Sequence, residues 1–511
     1  MTDTLSLPPR HLTGRIDSAP SDLLHAEVLR PQFAFDVEHT LPHLLLIEKV
    51  LLVESRRLGI LDAAQVGALA AALGEVTPAS LAADPATNMS DVVFAVERFV
   101  LDRVPMPVPA WHVDRSRNDL QACAQLMYGR GLVLDAARHL LDCATAALPV
   151  ATAHLADPMP GYTHLQPAQV ITPGFFLSAV VEHLLHTLDR LGHTYDRMNL
   201  CPLGSGAMSG QEIAWDRARM AGLLGFAGPR RHALVGVASR EWVLEVAADA
   251  ATFGIGLSRL VTDLMAWTSG EYGLFALPDA WSAISSAMPQ KKNYPILERI
   301  RGKTAHLLSW YVDAATAQRG TPYSNSVEVS KESGAGLSAA MATLGITVRL
   351  FTAVLDGLTV DRERARGRCA QEYLGGFSLA TALTLNEGVP WRDAQVISGR
   401  YVVAARRADV APGRLDRSLL CRVAAEHGYP FTTDRPVPDG VFDPDAELRR
   451  RDCTGSASPA ATGAVLAAQR DELSQLGAGW RARATRAGSA GARIDGALAD
   501  HHSESAPESQ E

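Results

Sequence analysis

The chain has 511 residues, of which 47% are hydrophobic and 20% charged, with 48 basic residues against 56 acidic ones and a formal net charge of -8. That length allows a large buried core and two to four domains, and the composition is that of an ordinary soluble globular protein. A mildly acidic balance excludes the broad basic footprint that phosphate backbones or anionic lipid require, so neither nucleic acid nor a membrane is an expected partner.

Six cysteines (Cys123, Cys143, Cys201, Cys369, Cys421 and Cys453) lie far apart, with no C-x-x-C and no histidine at metal-ligand spacing, so neither a disulfide framework nor a metal site is expected. The opening "MTDTLSLPPRHLTGRIDSAP" lacks the basic start and apolar run of an export signal. Charge-free stretches such as 334–348 fall short of the roughly 18 apolar residues of a membrane span. A cytoplasmic, soluble protein is the expectation.

In chain order, "LPHLLLIEKVLLVESRRLGIL", "AAQVGALAAALGEV" and "SDVVFAVERFVLDRV" carry apolar residues at helical spacing, and "PMPVPA" stops the last of them. Residues 1–110 therefore read as a small helical domain. Five longer segments follow within residues 111–358, beginning "DLQACAQL", "PGFFLSAV", "EWVLEVAA", "YPILERIR" and "GAGLSAAM". Each runs past twenty residues, and Thr172 before Pro173 predicts an N-cap and first-turn pair for the second. Five long helices imply a bundle, and apolar residues on more than one face predict burial against sister subunits, hence a homo-oligomer. Residues 359–482 read as a third helical domain. The small, polar tail at 483–511 is expected to be disordered. The fold class is all-α, with three helical domains around a central long-helix bundle.

Three polar islands interrupt these helices: "HVDRSRNDLQ" (112–121), "PGYTHLQPAQ" (160–169) and "ISSAMPQKKN" (284–293). They supply Ser116, Arg117, Asn118, Thr163, His164, Gln166, Ser285, Ser286, Lys291 and Asn293. Such donors suit a small dicarboxylate, since arginine offers a planar fork, lysine a point charge, and the hydroxyls and amides serve the remaining lone pairs. Taken singly, each island has an ordinary explanation. Arg117, Asn118 and Asp119 can be a helix cap with a surface ion pair, His164 a hydrogen-bonded histidine, and Ser285 with Ser286 plain loop composition.

Together the islands resemble the fumarase/aspartase superfamily, and within it argininosuccinate lyase most of all. The superfamily signature G-S-S-x-M-P-x-K-x-N, with a glutamate five residues after the asparagine, is matched by Ser285, Ser286, Met288, Pro289, Lys291, Asn293 and Glu298. "RSRND", "MPGYTHLQPAQ", "CPLGSGAMSG", "ERIRGK", "GVPWRDAQVISGR" and "RRRDCTGSASP" follow the lyase's blocks in order, from about residue 36 to residue 459. The resemblance implies a homotetramer with a twenty-helix core, active sites drawn from three subunits, and no metal or organic cofactor. It also implies elimination of an amine from a succinyl group to give fumarate. Ser285 would be the general base, His164 the acid-side residue oriented by Glu298, and Lys291 with Asn293 and the loop amides the clamp on the carbanion's charge. Ser116, Arg117, Asn118, Thr163, Gln166, Ser286 and Met288 would hold the succinyl end, and the loop at 284–288 would close over it.

Departures from the argininosuccinate pattern cluster. Ile284 replaces the glycine before the paired serines. In "PYSNSVEVSKE", Asn325 and Ser330 stand where the family's tyrosine and glutamine hold the amino-acid end of the arginine portion. A Ser-x-x-x-Asp is absent around "HAEVLRPQ", and Val93 replaces a histidine. The resemblance therefore implies a carbon-nitrogen lyase acting on an N-substituted aspartate. Argininosuccinate is one candidate, and an ethylenediamine-disuccinate-type or other amine adduct is the alternative. Aspartase, adenylosuccinate lyase and cycloisomerase relatives, and a catalytically silent crystallin-like homologue, are the competing readings.

Overall fold

The computed structural model describes residues 18–503 except 433–436 and 438–439. The segment 1–17, on which the reading of the N-terminus rests, and 504–511 lie outside the described residues. The chain is predominantly helical, and its strands form four short two-stranded sheets among the described residues.

The N-terminal helices α1 (Leu41–Arg57), α2 (Ala63–Gly74) and α3 (Val92–Leu101) follow the predicted segments. α2 begins at a reciprocal cap in which the Asp62 carboxylate accepts from the Gln65 amide and the Gln65 side chain accepts from the Asp62 amide. Five long helices then form the bundle: α4 (Arg117–Ala153), α5 (Pro173–Met198), α6 (Glu241–Trp267), α7 (Pro295–Gln318) and α8 (Leu337–Gly357). Thr172 caps α5 as expected, its Oγ1 accepting from the Phe175 amide at 2.9 Å. α4 packs on α5 and α8, and α6 packs on α7. Gly129 of α4 is required where Trp242, at the start of α6, lies against it, because a Cβ there would meet the indole at 2.5 Å.

The run Glu328–Gly357, which contains α8, is long and apolar enough to cross a membrane by length and composition, and half of its most apolar window is buried. Its buried face lies against α4 and α7. The outward face of the bundle keeps large apolar side chains exposed: Ile255 on α6, Leu308, Tyr311 and Val312 on α7, and Ile346 on α8.

Beyond the bundle, α9 (Arg362–Ala370), α10 (Gly376–Glu387), α11 (Trp391–Arg407), α12 (Arg417–Glu426) and α13 (Pro444–Arg450) follow. α10, α11 and α12 enclose a separate core in which Leu379, Leu383, Ile397, Tyr401 and Leu420 are buried. A smaller core joins Cys369, Leu374, Leu448 and Ala457 to Val170 of strand β2 (Gln166–Ile171). It seats the hairpin made by β1 (Met159–Thr163) and β2.

The C-terminal tail departs from expectation. Residues from 483 onward complete α14 (Pro459–Gly488) and form α15 (Ala490–Ser503). α14 lies along α4 and α5, and α15 lies on α1. Ile494 is fully buried, Leu498 is nearly so, and Asp495 pairs with Lys49 of α1 at 2.9 Å. A pair of apolar residues four apart buries one stripe of the helix, and the surrounding alanines and glycines hide that stripe in a composition-based reading.

Candidate active site

The three polar islands fold into three different local devices. The first is a clamped helix start. Ser116 is the N-cap of α4, its Oγ accepting from the Asn118 amide at 3.2 Å. Before it, Arg115 makes a buried ion pair with Glu48 of α1. The Asp114 carboxylate accepts from the amides of Glu212 and Ile213 and from the Trp215 indole at 2.8–3.2 Å. Burial works to raise the Asp114 pKa, but these donors outweigh it and hold the group below its ordinary value. After the cap, Asp119 is 1% exposed and its Oδ2 accepts from the Gly204 and Gly206 amides at 2.9 and 3.0 Å. Both glycines take positive φ, as this tight loop needs.

Between those anchors, Arg117 pairs with Asp91 at 2.8 Å. Asn118 donates to the Ala207 carbonyl at 3.0 Å and accepts from Asn325 at 3.0 Å. Asn325 in turn accepts from Arg240 at 3.1 Å. Arg240, 3% exposed, also donates to Gln125, whose side-chain amide reaches the Ser330 carbonyl at 2.6 Å. Burial lowers the Arg240 pKa to about 10, which leaves it charged at neutral pH. The result is a cleft of about 260 Å³ walled by Asp36, Asp91, Val93, Arg117, Asn118, Gln125, Asn325, Ser330 and Lys331, among others. Lys331 is tied to Asp36 across it at 3.0 Å.

The second device is the β1–β2 hairpin. Thr163 pairs with Gln166, so His164 and Leu165 are the two turn residues, with φ of 54° and 62°. A two-residue turn with both φ values positive usually carries asparagine or glycine, so a histidine and a leucine there hold some strain. Thr163, His164, Leu165 and Gln166 are all exposed. Met89 and Ser90 ahead of Asp91, and His112 and Asp114 ahead of Ser116, are further non-glycine residues with positive φ. Of the seven such residues among those described, four lie within the polar islands, two precede Asp91, and Asp409 follows the helix Trp391–Arg407.

The third device is a loop closed by a short ladder, in which β3 (Ala283–Ile284) pairs with β4 (Lys292–Asn293). Ser285 Oγ accepts from the Met288 amide at 3.0 Å and the Ala287 amide at 3.3 Å, so two backbone dipoles aim at one hydroxyl oxygen. Ser286, Met288 and Lys291 are exposed, Asn293 is half-buried, and Glu298 is exposed in the first turn of α7.

Of the residues singled out in sequence, Arg117, Asn118, Asn325 and Ser330 meet at one cleft, with Ser116 capping the helix beneath. Thr163, His164, Gln166, Ser285, Ser286, Met288, Lys291, Asn293 and Glu298 do not line it. Among the described residues, no hydrogen bond or ion pair within the chain joins His164 to Glu298 or to Ser285. No sequence motif points to Gln125, Arg240, Lys331, Asp36 and Asp91. They come from separate elements: Gln125 lies within α4, Asp91 and Arg240 immediately precede α3 and α6, and Asp36 and Lys331 lie in short π-helical turns.

A family model described as lyase matches residues 85–308. Argininosuccinate lyase of Methanothermobacter thermautotrophicus is 30% identical over 429 residues, 84% of this chain and 90% of that protein. The chain belongs to the argininosuccinate lyase family of the fumarase/aspartase superfamily. This member of the family is a carbon-nitrogen lyase, and its reaction class is fumarate release. Argininosuccinate lyase of Methanoculleus marisnigri is likewise 30% identical, over 475 residues covering 89% of the chain and 94% of the relative. Among solved structures, EDDS lyase in complex with formate matches the lyase with a TM-score of 0.81 at 26% identity, over 95% of this chain and 97% of that one. A class II fumarase from Schistosoma mansoni matches at 0.62 and 17% identity, over 82% and 90%, which is a likeness of fold.

Proposed function

We propose that the lyase eliminates an amine from an N-substituted aspartate at a site assembled from three subunits of a homotetramer. The observation that carries this reading is the pair of amides aimed at Ser285 Oγ inside the signature loop. A serine hydroxyl is a poor base unless its alkoxide is stabilised, and hydrogen bonds to the charged form supply that stabilisation. Ser285 takes the proton from the carbon next to a carboxylate. The electron pair left behind spreads into that carboxylate, which Lys291 and Asn293 hold, and then forms the double bond of fumarate as the carbon-nitrogen bond breaks. His164, oriented by Glu298, serves the departing nitrogen. Ser116, Arg117, Asn118, Thr163, Gln166, Ser286 and Met288 anchor the succinyl end, with the loop at 284–288 closing over it.

Assembly is supported by the apolar side chains left exposed on α6, α7 and α8 and at the islands themselves, where Leu165 is 72% and Ile284 89% exposed. Partner subunits would cover these and bring the hairpin and the Ser285 loop to the cleft. The amine is proposed to differ from arginine. Val93 and, more than two hundred residues later, Asn325 and Ser330, all departures from the argininosuccinate pattern, line one cleft.

The test is fumarate formation, read by its ultraviolet absorbance, from a panel of N-substituted aspartates that includes argininosuccinate. Ser285→Ala is expected to lower kcat about a thousandfold, some 4 kcal/mol of barrier, with the helical content and assembly unchanged. A loss within about tenfold removes Ser285 from the role of base, and argininosuccinate as the best substrate removes the altered amine.

A further inference from the structure

A second cleft of about 350 Å³ lies beside the first. Thr40, Gln125, Ser330 and Lys331 stand on the walls of both. The described residues contain three π-helical segments, His25–Leu29, Asp36–Thr40 and Glu328–Glu332, and all three contribute to these walls. Glu27 and Val28 come from the first, Asp36 and Thr40 from the second, and Ser330 and Lys331 from the third. A π turn inserts a residue into a helix at some cost in hydrogen-bond geometry, and such turns concentrate where a side chain must be redirected toward a functional site. Three of them converging on one double cleft mark it as a built feature of the fold.

The two compartments differ in chemistry. The first presents Asp36, Asp91, Arg117, Asn118 and Asn325. The second presents Val28, Pro31, Phe35, Tyr128, Trp242 and Val243. Of the polar side chains on its wall, Arg240, Gln125, Thr40, Tyr128 and Lys331 are already engaged within the chain, and Gln32 and Ser330 are the remaining neutral ones. Arg240 donates to the Val237 and Ser239 carbonyls, Gln125 and Asn325. The Tyr128 hydroxyl donates to Ser338 at 3.0 Å. The two carboxylates on its wall, Glu27 and Glu332, are exposed to water, where an ion pair contributes little. What the compartment offers a ligand is aromatic and aliphatic surface. Phe35 stands edge-on to Tyr128 at 6.2 Å, and His39 stacks on the same ring at 5.2 Å.

We infer that the second cleft receives an apolar, ring-sized substituent on the substrate's amine, while the first grips the polar groups around the aspartyl nitrogen. This rests on the proposed lyase reading and narrows its substrate class to aspartates N-substituted with an arylalkyl or similarly apolar amine. A guanidinium in the second cleft would lose its water beside the cationic Arg240 and Lys331, with only the neutral Gln32 and Ser330 side chains as interior partners.

The experiment runs the reaction toward addition, with fumarate and methylamine, arginine, benzylamine or phenethylamine as probes. For the parent enzyme, kcat/KM for the two arylalkyl amines is expected to exceed that for methylamine and for arginine by tenfold or more. Ala335→Trp, built from an exposed position on the cleft wall, and Val28→Asp, which places a charge on its half-exposed apolar side, are each expected to cut the benzylamine-to-methylamine ratio of kcat/KM about tenfold. Methylamine or arginine used as well as benzylamine, or a ratio unmoved by both variants, overturns the inference and leaves the lyase reading standing. Consumption of fumarate with none of these amines, nor with any other, overturns both.

Discussion

Replacing Asp119 with asparagine tests how the helix start that carries Arg117 and Asn118 is held. Burial pushes the Asp119 carboxyl up to about 6 from an ordinary 3.8, although the Gly206 and Gly204 amides and the nearby Arg115 charge pull it down. Between those two values the folded chain holds more protons than the unfolded chain, so stability falls as pH rises. The contribution is complete below about pH 4 and is lost as pH rises through about 6. A shift of about two units corresponds to about 3 kcal/mol. Asparagine keeps a carbonyl oxygen for the two glycine amides and does not ionise. The unfolding free energy of Asp119→Asn minus that of the parent is therefore expected to grow by about 1.4 kcal/mol per pH unit between about pH 4 and pH 6, then to level off. Urea unfolding followed by circular dichroism measures it, at one protein concentration because subunit association would shift the midpoints. Parallel stability curves across that window would refute the argument, since they would mean that the carboxyl titrates alike in both states.

Ile494→Ala should cost about 2–4 kcal/mol by leaving a cavity between α15 and α1, and a loss below about 0.5 kcal/mol in the same unfolding assay would mean that the tail is not packed. Val312→Asp, on the exposed apolar face of α7, should break the proposed tetramer into smaller species by light scattering and abolish fumarate formation with it. Full activity from a dissociated chain would show that one subunit holds a complete site.

The long helices could be read directly because their apolar period is local: α5 and α6 span the same residues in sequence and structure. The Thr172 cap could be read for the same reason, since a hydroxyl, a proline and an apolar run are neighbours in the chain. The tail could not. Only Ile494 and Leu498 distinguish it from a solvated, alanine-rich segment, and their burial depends on α1, more than four hundred residues earlier. The Ser285 loop and the hairpin were visible as motifs, while the amides that converge on Ser285 Oγ and the strained turn at His164 are matters of backbone direction that composition does not carry.

By itself the sequence determined the helical bundle, the three islands of donors and the family resemblance, because each rests on residue types at fixed short spacing. Tertiary structure decided which islands share a cleft. Arg117 and Asn118 meet Asn325 and Ser330 because α4 and the segment ahead of α8 pack side by side, while the hairpin is drawn away to the small core around Cys369 and Leu448. It also decided the shape of the double cleft, since a π turn depends on how a helix is pulled by its neighbours, and Val28, Tyr128 and Trp242 become one surface only after three separate helices have packed.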